Sequence, residues 1–521
     1  MKIDKYKRLV LSLFAGILLA SSCADDKGNY DYIDLNNITI DGISKDITAL
    51  SYTNLEITPV FKNFDPTEEQ YDFEWQVIQM FGDGETEVIG TNKNLNYTVE
   101  LLPGAYTLLY TIKEKGSEIY YREEMNLQVN SVTSEGWLVL SSDNNRARLD
   151  MVSKITGETY HDLLAHSDMP EMHGPRSITF LPPTLTDAAS PFYLFADDGA
   201  TRLSNNEFEW QPEFDMSYEM GDGKEVRPYS ISTTYGYKML VSGTKAHFNN
   251  YLTQDGFYSM AVNKDYDVAP TIGVNVGNIL SMVPMFLMYD TDNKQFMAYC
   301  WYLSAMGMSA DIDMNSFEMM ISPFDGNAFQ EFPVGLEYVY MENTRYSGDG
   351  SGVGTTYTIL REGNNFYLYG LQLGDLLQAF GAPYVVRKSH YGDLSGCTDI
   401  AKAEHFAFSS LKNYMYYSVK NQVYRVNLSN TPFTAEPQFS LSGEDITCLK
   451  FYLYTEENYA NRSYDLIVGS QKGGDESTSG ILRVYDGLET EGDFSRVQPK
   501  ETHEGFGKIV DIIFREIITV Q

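Results

Sequence analysis

Cysteine is scarce in this chain, with four residues in 521: Cys23, Cys300, Cys397 and Cys448. No CxxC pair occurs, and no Cys and His residues have the spacing of structural zinc ligands. Cys300 and Cys448 lie within apolar segments, which predicts buried free thiols for both. The sequence therefore excludes a disulfide-rich scaffold and the common zinc-binding modules.

Positive charge is also scarce. The chain has 38 Lys and Arg residues against 72 Asp and Glu residues, a formal net charge of −34. A chain this acidic is repelled by the phosphates of nucleic acids and by anionic lipid headgroups, so we expect no nucleic-acid partner. Disorder is excluded as well, because the hydrophobic content of 43% is far above that of disordered chains.

Long apolar runs are missing, and the one run near the start, residues 9–20, is shorter than the roughly 20 residues that span a bilayer. It follows a lysine-rich start and precedes two serines and Cys23, the pattern of a secretory signal. A cysteine at the cleavage point makes this a bacterial lipoprotein signal. We predict a signal peptide over residues 1–22, lipidation of Cys23, and a lipidated tether over residues 23–35.

The segment after the cysteine has a distinctive composition. Residues 24–32 read ADDKGNYDY, and the string NITI follows at residues 37–40. These strings resemble the start of the PKD-like family of lipoproteins found in Bacteroidota. The resemblance implies an immunoglobulin-like domain and, through the acidic residues after Cys23, an outer-membrane lipoprotein exposed at the cell surface. It also implies two partners, a TonB-dependent transporter and the binding lipoprotein of that transporter.

Residues 36–130 have the pattern of a β-sandwich. The stretch from residue 72 to residue 77 alternates polar with apolar side chains, which places Phe73, Trp75 and Val77 on one face of a strand. A Trp in a middle strand of such a domain fills the space between the sheets. Residues 131–135 are expected to be a short polar linker. The predicted strands are 37–41, 55–61, 71–79, 86–91, 104–113 and 120–129.

Residues 131–521 contain recurring strand–turn–strand blocks. This repetition favours a β-propeller with seven blades, six or eight being compatible, over two or three further sandwich domains. Residues 507–514 are predicted to form the outer strand of the first blade or the last strand of the final one. Short helices are expected only at 162–166 and 374–380. The fold class is thus all-β, and the blocks begin at residues 136, 192, 238, 285, 356, 405 and 465.

No catalytic residue is predicted, because the HExxH, GxSxG and P-loop motifs are all missing. One segment combines histidines with carboxylates, the donors that transition metals use, although its spacing fits a solvated loop better. Residues 310–315 resemble a calcium loop but lack its glycine and its distal Glu, so an edge strand is favoured and calcium stays an alternative. The histidine segment contains His161, Asp162, His166, Asp168, Glu171 and His173.

Three further segments have two interpretations each. The glycine-rich residues 348–354 predict a loop between blades or a lid over the propeller mouth. The tyrosine-rich residues 229–237 suit contact with sugars or peptides, or ordinary strand packing. The methionines between residues 282 and 320 predict filling of the core, or an adaptable binding surface.

The leading prediction is a non-catalytic cell-surface lipoprotein that binds a nutrient ligand, a glycan or a peptide, as an accessory to a TonB-dependent uptake system. One alternative is a glycoside hydrolase or polysaccharide lyase on a propeller scaffold. The other is a purely structural accessory subunit of the transporter complex. The sequence predicts no cofactor and no metal site, and it assigns no ligand-binding residue.

Overall fold

The computed structural model divides into two compact units, residues 1–129 and 130–521. Cys23, the tether and residues 375–380 of the expected second helix lie outside the described residues. The described residues are 38–51, 53–80, 86–181, 192–204, 208–220, 227–234, 236–250, 257–277, 283–305, 307, 309–316, 328–348, 350–374 and 385–517.

The first unit is built from strands alone among its described residues. A five-stranded antiparallel sheet has the order β2-β9-β8-β5-β6, and two-stranded sheets pair β1 with β4 and β3 with β7. The strands are β1 (Thr39–Asp41), β2 (Asp46–Leu50), β3 (Asn54–Ile57), β4 (Val60–Lys62), β5 (Tyr71–Gln79), β6 (Thr86–Gly90), β7 (Leu95–Thr98), β8 (Gly104–Glu114) and β9 (Tyr120–Asn130).

The predicted face of β5 is confirmed. Phe73, Trp75 and Val77 are buried in the core, and the Trp75 ring stacks on Tyr110 with a centroid distance of 4.0 Å. The Trp75 indole donates to the carbonyl of Asn92 at 3.0 Å, which satisfies its one polar group. Strands β2 and β7 were not predicted, because both are short and have few β-branched or aromatic residues in alternation.

The second unit carries 25 strands among its described residues. They are β10 (Gly136–Asp143), β11 (Arg146–Ser153), β12 (Thr159–Tyr160), β13 (Pro175–Phe180), β14 (Phe192–Ala196), β15 (Gly199–Leu203), β16 (Pro228–Thr234), β17 (Tyr237–Ser242), β18 (Lys245–Asn250), β19 (Phe286–Asp290), β20 (Gln295–Tyr299), β21 (Asp311–Asp313), β22 (Glu337–Asn343), β23 (Thr355–Glu362), β24 (Asn365–Leu373), β25 (Val386–Asp393), β26 (His405–Phe408), β27 (Tyr414–Val419), β28 (Gln422–Asn427), β29 (Ala435–Ser440), β30 (Glu444–Lys450), β31 (Leu466–Lys472), β32 (Gly480–Tyr485), β33 (Glu501–Phe506) and β34 (Lys508–Arg515).

These strands form seven antiparallel sheets in chain order. Each predicted block falls on one sheet, and the all-β prediction is confirmed. Sheet 1 is β12-β11-β10-β34, sheet 2 is β13-β14-β15, sheet 3 is β16-β17-β18, sheet 4 is β19-β20-β21, sheet 5 is β22-β23-β24-β25, sheet 6 is β26-β27-β28-β29 and sheet 7 is β30-β31-β32-β33.

An apolar core lies between each sheet and the next. Between sheets 4 and 5, for example, Leu287 packs in the same cluster as Leu360, and both are fully buried. Five similar clusters join the other consecutive sheets. A seventh cluster contains Ile467 and Leu482 of sheet 7 together with Trp137 of sheet 1.

The last strand, β34, joins the first sheet. It pairs antiparallel with β10 (Leu138 opposite Ile513) at the sheet edge away from β12. There it also contacts β13 of sheet 2 and β30 and β31 of sheet 7. The end of the chain thus belongs to the first sheet as predicted, but it lies against the neighbouring sheets rather than on the outer side.

Charged groups reinforce the junction of sheets 7 and 1. The indole of Trp137 donates to Glu501 at 2.8 Å, and the guanidinium of Arg462 lies 4.3 Å from the ring centre of Phe514. Lys154 also pairs with Glu501 at 2.7 Å. Residues far apart in the chain therefore hold the first and last sheets of the second unit together.

The predicted polar linker is not a loose connection. Ser131 and Thr133 are only 1% and 3% exposed. Ser153 donates to the carbonyl of Val132, and Arg515 donates to the hydroxyl of Thr133. These contacts fix the segment to sheet 1, which a count of polar residues does not reveal.

In the part of the chain that the structure describes, helix is confined to short segments. The predicted helical turn near residue 162 is present as a 3-10 helix. No helix in the described part of the chain is long and apolar enough to cross a bilayer. Within the described residues, the 3-10 helices are Leu163–His166, Pro212–Phe214, Met216–Glu219, Ile400–Lys402 and Glu457–Tyr464, and the α-helix α1 is Trp301–Ala305.

Candidate functional site

A cavity of about 940 Å³ opens in the second unit. Its walls come mainly from the first strands of sheets 5, 6 and 7 and from β34 of sheet 1. We call β22, β26, β30 and β34 the lining strands. The lining residues are Val339, Tyr340, Ala403, Glu404, His405, Phe406, Lys420, Asp445, Ile446, Thr447, Cys448, Leu449, Lys450, Gln471, Lys508, Ile509, Val510 and Asp511.

A partly buried ion pair lies in the wall of this cavity. Lys450 Nζ is 2.6 Å from Asp511 Oδ1, and the two side chains are 26% and 12% exposed. The other carboxylate oxygen of Asp511 accepts the backbone N–H of Ile178 at 3.0 Å. Since the pair bridges β30 and β34 and is tied to β13, it holds strands of sheets 7, 1 and 2 together.

Glu342 lies two residues after Tyr340 on β22. Its carboxylate accepts the hydroxyl of Tyr340 at 3.0 Å and the N–H of Phe408 at 3.1 Å. Burial raises the pKa of Glu342 to about 8, while the charge of Lys450 acts in the opposite direction. A carboxyl group with this pKa is mostly protonated at neutral pH, so it can donate as well as accept a hydrogen bond.

Two other ionisable residues of the wall are held neutral. His405 lies within hydrogen-bonding distance of the Ile446 carbonyl, with Nε2 at 3.2 Å, and burial lowers the pKa of His405. Burial raises the pKa of the Cys448 thiol to about 12, so the thiolate is rare at neutral pH. Neither residue adds net charge to the cavity at pH 7.

The remaining polar residues bring both signs of charge to the cavity. Asp445 and Lys508 form no ion pair with any described residue, so both are available to a ligand. Glu404 accepts the backbone N–H of Lys420 at 3.2 Å. Together with Tyr340 and Phe406, these groups make a surface that can bind a polar ligand by hydrogen bonds, charge and ring contacts.

The histidine segment does not assemble as one site. His161 lies 2.9 Å from Arg148, Asp162 pairs with Arg146, and His173 pairs with Asp198. Among the residues that the structure describes, no group of three or more His, Cys, Asp or Glu side chains is arranged to hold a metal ion. His161, Asp162 and His173 instead contact separate partners near the ends of sheets 1 and 2.

The acidic segment at residues 310–315 is a strand edge, as favoured. Asp311 and Asp313 lie in β21, the edge strand of sheet 4. Asp311 accepts the hydroxyl of Tyr266 at 2.6 Å, and Asp313 accepts the N–H of Asn315 at 2.9 Å. Both carboxylates therefore have protein partners.

The glycine-rich segment connects β22 and β23 of one sheet, so the prediction of a loop between blades was wrong. Gln372 donates to the carbonyls of Ser347 and Val353, which holds the loop against β24. The loop also passes close to the backbone of Gly277. A Cβ atom at Gly277 would lie 2.0 Å from the carbonyl oxygen of Gly352, so only a glycine allows the two backbone segments to come this close.

Packing explains most of the other residues that the sequence singled out. Cys300, Cys397 and Cys448 are buried free thiols, which confirms the prediction for Cys300 and Cys448. Tyr237 is buried, while Tyr235 and the side chain of Tyr229 lie outside the described residues. The described methionines of the rich stretch fill the cores, as predicted: Met285, Met288, Met297 and Met314.

Sequence reasoning missed the ionisable residues of the cavity wall. A signal was present, because Lys450 and Asp511 in the wall, and Glu342 next to Tyr340 of the wall, each follow or interrupt a run of mostly apolar residues. A charge in such a position is unfavourable unless it is paired or faces a cavity. The sequence alone does not reveal that three strands so distant in the chain meet.

The N-terminal region carries the features of an immunoglobulin-like domain. Beyond the buried Trp75, the Tyr106 hydroxyl at the start of β8 donates back to the carbonyl of Leu102 at 2.9 Å, as in a tyrosine corner. Residues 23–174 match the PKD-like family. The match confirms the resemblance expected from residues 24–40, and it extends beyond the first unit over β10, β11 and β12 to residue 174.

Two solved structures that align with this chain do so at low sequence identity and with TM-scores below 0.5. A quinonprotein alcohol dehydrogenase-like protein from Bacteroides thetaiotaomicron aligns with a TM-score of 0.42 and 12% identity, over 92% of this chain and 99% of that one. Kluyveromyces lactis Hsv2 aligns with a TM-score of 0.30 and 10% identity, over 64% and 81% of the two chains. No curated protein matches the sequence.

Proposed function

We propose that this protein is a surface lipoprotein that binds a nutrient ligand, a glycan or a peptide, in the cavity between the lining strands. The observation that carries the proposal is the cavity itself, about 940 Å³ in volume and lined by unpaired charges of both signs beside Tyr340 and Phe406. A pocket of this size suits a ligand of several sugar or amino-acid units. The protein would then deliver the bound ligand to a TonB-dependent transporter.

The proposal includes a closed seven-bladed β-propeller in residues 131–521. Its support is the sequence of seven sheets and the apolar core that joins sheet 7 to sheet 1. β34, the last described strand, would then complete the first blade. Closing a propeller in this way removes the exposed sheet edges of the fold. The lining strands would surround part of the central channel.

The proposed anchor is the lipid on Cys23. A Cys23→Ala variant should lose labelling by palmitate, and globomycin should cause the unprocessed precursor to accumulate. Protease treatment of intact cells should then remove the wild-type protein if the anchored chain faces outwards. Labelling of the variant at the wild-type level would contradict lipidation at Cys23.

Binding is tested with the full-length protein purified in detergent. A panel of plant and host polysaccharides and of peptides is screened by calorimetry, and the binding partners are re-measured with Lys508→Gln. Because Lys508 is exposed at the cavity and unpaired, its loss should weaken binding about three- to tenfold without unfolding the protein. Lys472→Gln, which removes a lysine paired with Glu504 outside the cavity, is the matched control.

Two results would overturn the binding proposal. One is that the folded protein binds no member of the panel. The other is that the Lys508 and Lys472 variants bind every partner as tightly as the wild type, which would place the ligand elsewhere.

One observation favours the alternative of a glycoside hydrolase. Glu342, with its pKa near 8, has the protonation state of a general acid at neutral pH, and its hydrogen-bond partner Tyr340 lines the cavity together with the carboxylate of Asp511. Release of reducing ends from a bound polysaccharide, lost in Glu342→Gln while binding persists, would establish catalysis. Unchanged product release in that variant would exclude Glu342 as the acid.

A further inference from the structure

The cavity becomes less exposed along two of its lining strands. β34 begins at the exposed Lys508 and reaches the largely buried Asp511 three residues later. β30 carries the exposed Asp445 near its start and ends at the partly buried Lys450. Lys450 and Asp511 neutralise each other, with Nζ and Oδ1 2.6 Å apart. The exposed ends of the two strands therefore carry one further cation and one further anion, Lys508 and Asp445.

Lys508 lines the cavity and has no counter-charge in the described part of the protein. The other exposed lysine of the wall, Lys420, differs in this respect. Glu404 accepts the backbone N–H of Lys420 at 3.2 Å, so a carboxylate lies beside that lysine. An exposed ammonium without a partner keeps its three donors for water or for a ligand. Lys508 is therefore free to bind an anionic group of a ligand.

Asp445 is the matching anion, because its carboxylate has no cation and no hydrogen-bond donor among the described residues. Its backbone is held in place from two sides. Asp445 pairs with Gln471 in the ladder of β30 and β31. The next residue, Ile446, donates its N–H to the carbonyl of Lys420 at 2.9 Å. The backbone that carries this carboxylate is thus ordered before any ligand arrives, which lowers the entropy lost on binding.

Several neutral groups of the wall are already engaged within the protein. The Tyr340 hydroxyl donates to Glu342 at 3.0 Å, and the Tyr340 ring packs against Phe406 with a centroid distance of 5.5 Å. The amide nitrogen of Gln471 donates to the hydroxyl of Ser479 at 3.1 Å. A neutral sugar depends on such hydrogen-bonding groups and on aromatic faces. The two free charges are therefore the larger part of what this cavity offers a ligand.

We propose that the cavity binds a short peptide with free termini, with Lys508 holding the terminal carboxylate and Asp445 the terminal ammonium. This inference rests on the proposed function and names the ligand class. An unblocked peptide carries both terminal charges whatever its sequence. Because these charges cancel, a chain with a net charge of −34 does not repel the peptide as it repels an anion. The apolar lining, which includes Val339, Ile446 and Ile509, would contact the side chains of the peptide.

The test measures the affinity of the full-length protein in detergent for alanine peptides of three to five residues by calorimetry. Each peptide is used with free termini, with an acetylated amino end, with an amidated carboxyl end, and with both ends blocked. Blocking either end should weaken binding about three- to tenfold, because it removes one charged contact at an exposed site. Lys508→Gln should abolish the effect of amidation and retain that of acetylation, and Asp445→Asn should do the reverse.

Two matched controls remove exposed charges that do not line the cavity. Lys472→Gln breaks the pair with Glu504, and Asp197→Asn breaks the pair with Arg176 in sheet 2. Both controls should retain the effects of acetylation and of amidation. Melting temperatures confirm that all four variants fold, as expected for substitutions at exposed residues.

Other outcomes separate this inference from the binding proposal. Lys508-dependent binding of a glycan, with no binding of the alanine peptides, would overturn the peptide assignment and leave the cavity as the ligand site. Binding of free and fully blocked peptides with equal affinity would overturn the recognition of the termini. A preference for free termini that persists in both the Lys508 and Asp445 variants would overturn the roles of these two residues. Failure of every glycan and peptide to bind would overturn the proposed function itself.

Discussion

The cores between the sheets are built from apolar side chains, whereas the strands around the cavity also carry charged ones. Leu287 and Leu360 meet in a dry core where neither touches solvent. Lys450, Asp511 and Glu342 occupy the lining strands, where each is partly removed from water. Apolar burial stabilises the fold, whereas a buried charge pair contributes little net stability. Charges kept in such places indicate a role in binding or specificity, and four variants test this contrast.

The largest effect should come from a core residue. Leu287→Ala leaves a cavity between sheets 4 and 5 and should lower the free energy of unfolding by about 2–5 kcal/mol. Urea denaturation followed by tryptophan fluorescence measures the change. Leu488→Ala, at a residue 44% exposed, is the control and should change stability little. A loss below about 1 kcal/mol for Leu287→Ala would mean that this core is not tightly packed.

The second effect concerns the ion pair of the wall. Lys450→Met leaves the Asp511 carboxylate without its cation and should destabilise the protein by about 1–3 kcal/mol. The double variant Lys450→Met/Asp511→Asn should recover much of this loss, because the amide oxygen still accepts the N–H of Ile178. If the double variant is less stable than Lys450→Met, the pair contributes more to the fold than proposed.

The third effect depends on pH. Glu342 has a pKa of about 8 in the folded protein against 4.5 for the free group, so the folded state holds a proton that the unfolded state releases. Its stabilising contribution is complete below pH 4.5 and disappears as pH rises to 8. Glu342→Gln should therefore become steadily more stable relative to wild type across that range, measured by urea denaturation at pH 5, 7 and 9. A difference independent of pH would contradict the raised pKa.

The smallest effect is expected at the surface. Arg361→Gln removes an exposed ion pair with Glu337 and should change the free energy of unfolding by less than about 1 kcal/mol. Thermal melting in low and high salt is sufficient to measure it. A larger loss would show that charges outside the cavity also matter to the fold, and the contrast between core and wall would weaken.

Much of the fold was predictable because strand signals are local. Alternation and turn residues located β5, and they located at least one strand of every sheet in the second unit. The burial of Trp75 followed from the same patterns. Predictions failed where the outcome depended on distant partners. Ser131 and Thr133 look like a solvated linker until sheet 1 covers them, and β34 finds its place only beside β10.

The sequence by itself determined that this is a folded, strongly acidic all-β protein whose N-terminal region resembles the PKD-like family. Composition, the alternation of polar and apolar residues, and short motifs can all be read from the chain without knowledge of its long-range contacts. The tertiary structure decided where the chemistry lies. It brought Lys450 and Asp511 together in the wall of one cavity and placed Glu342 beside Tyr340 of the same wall. Charges separated by up to 170 residues become neighbours only when strands of different sheets pack together, and no local pattern records that packing.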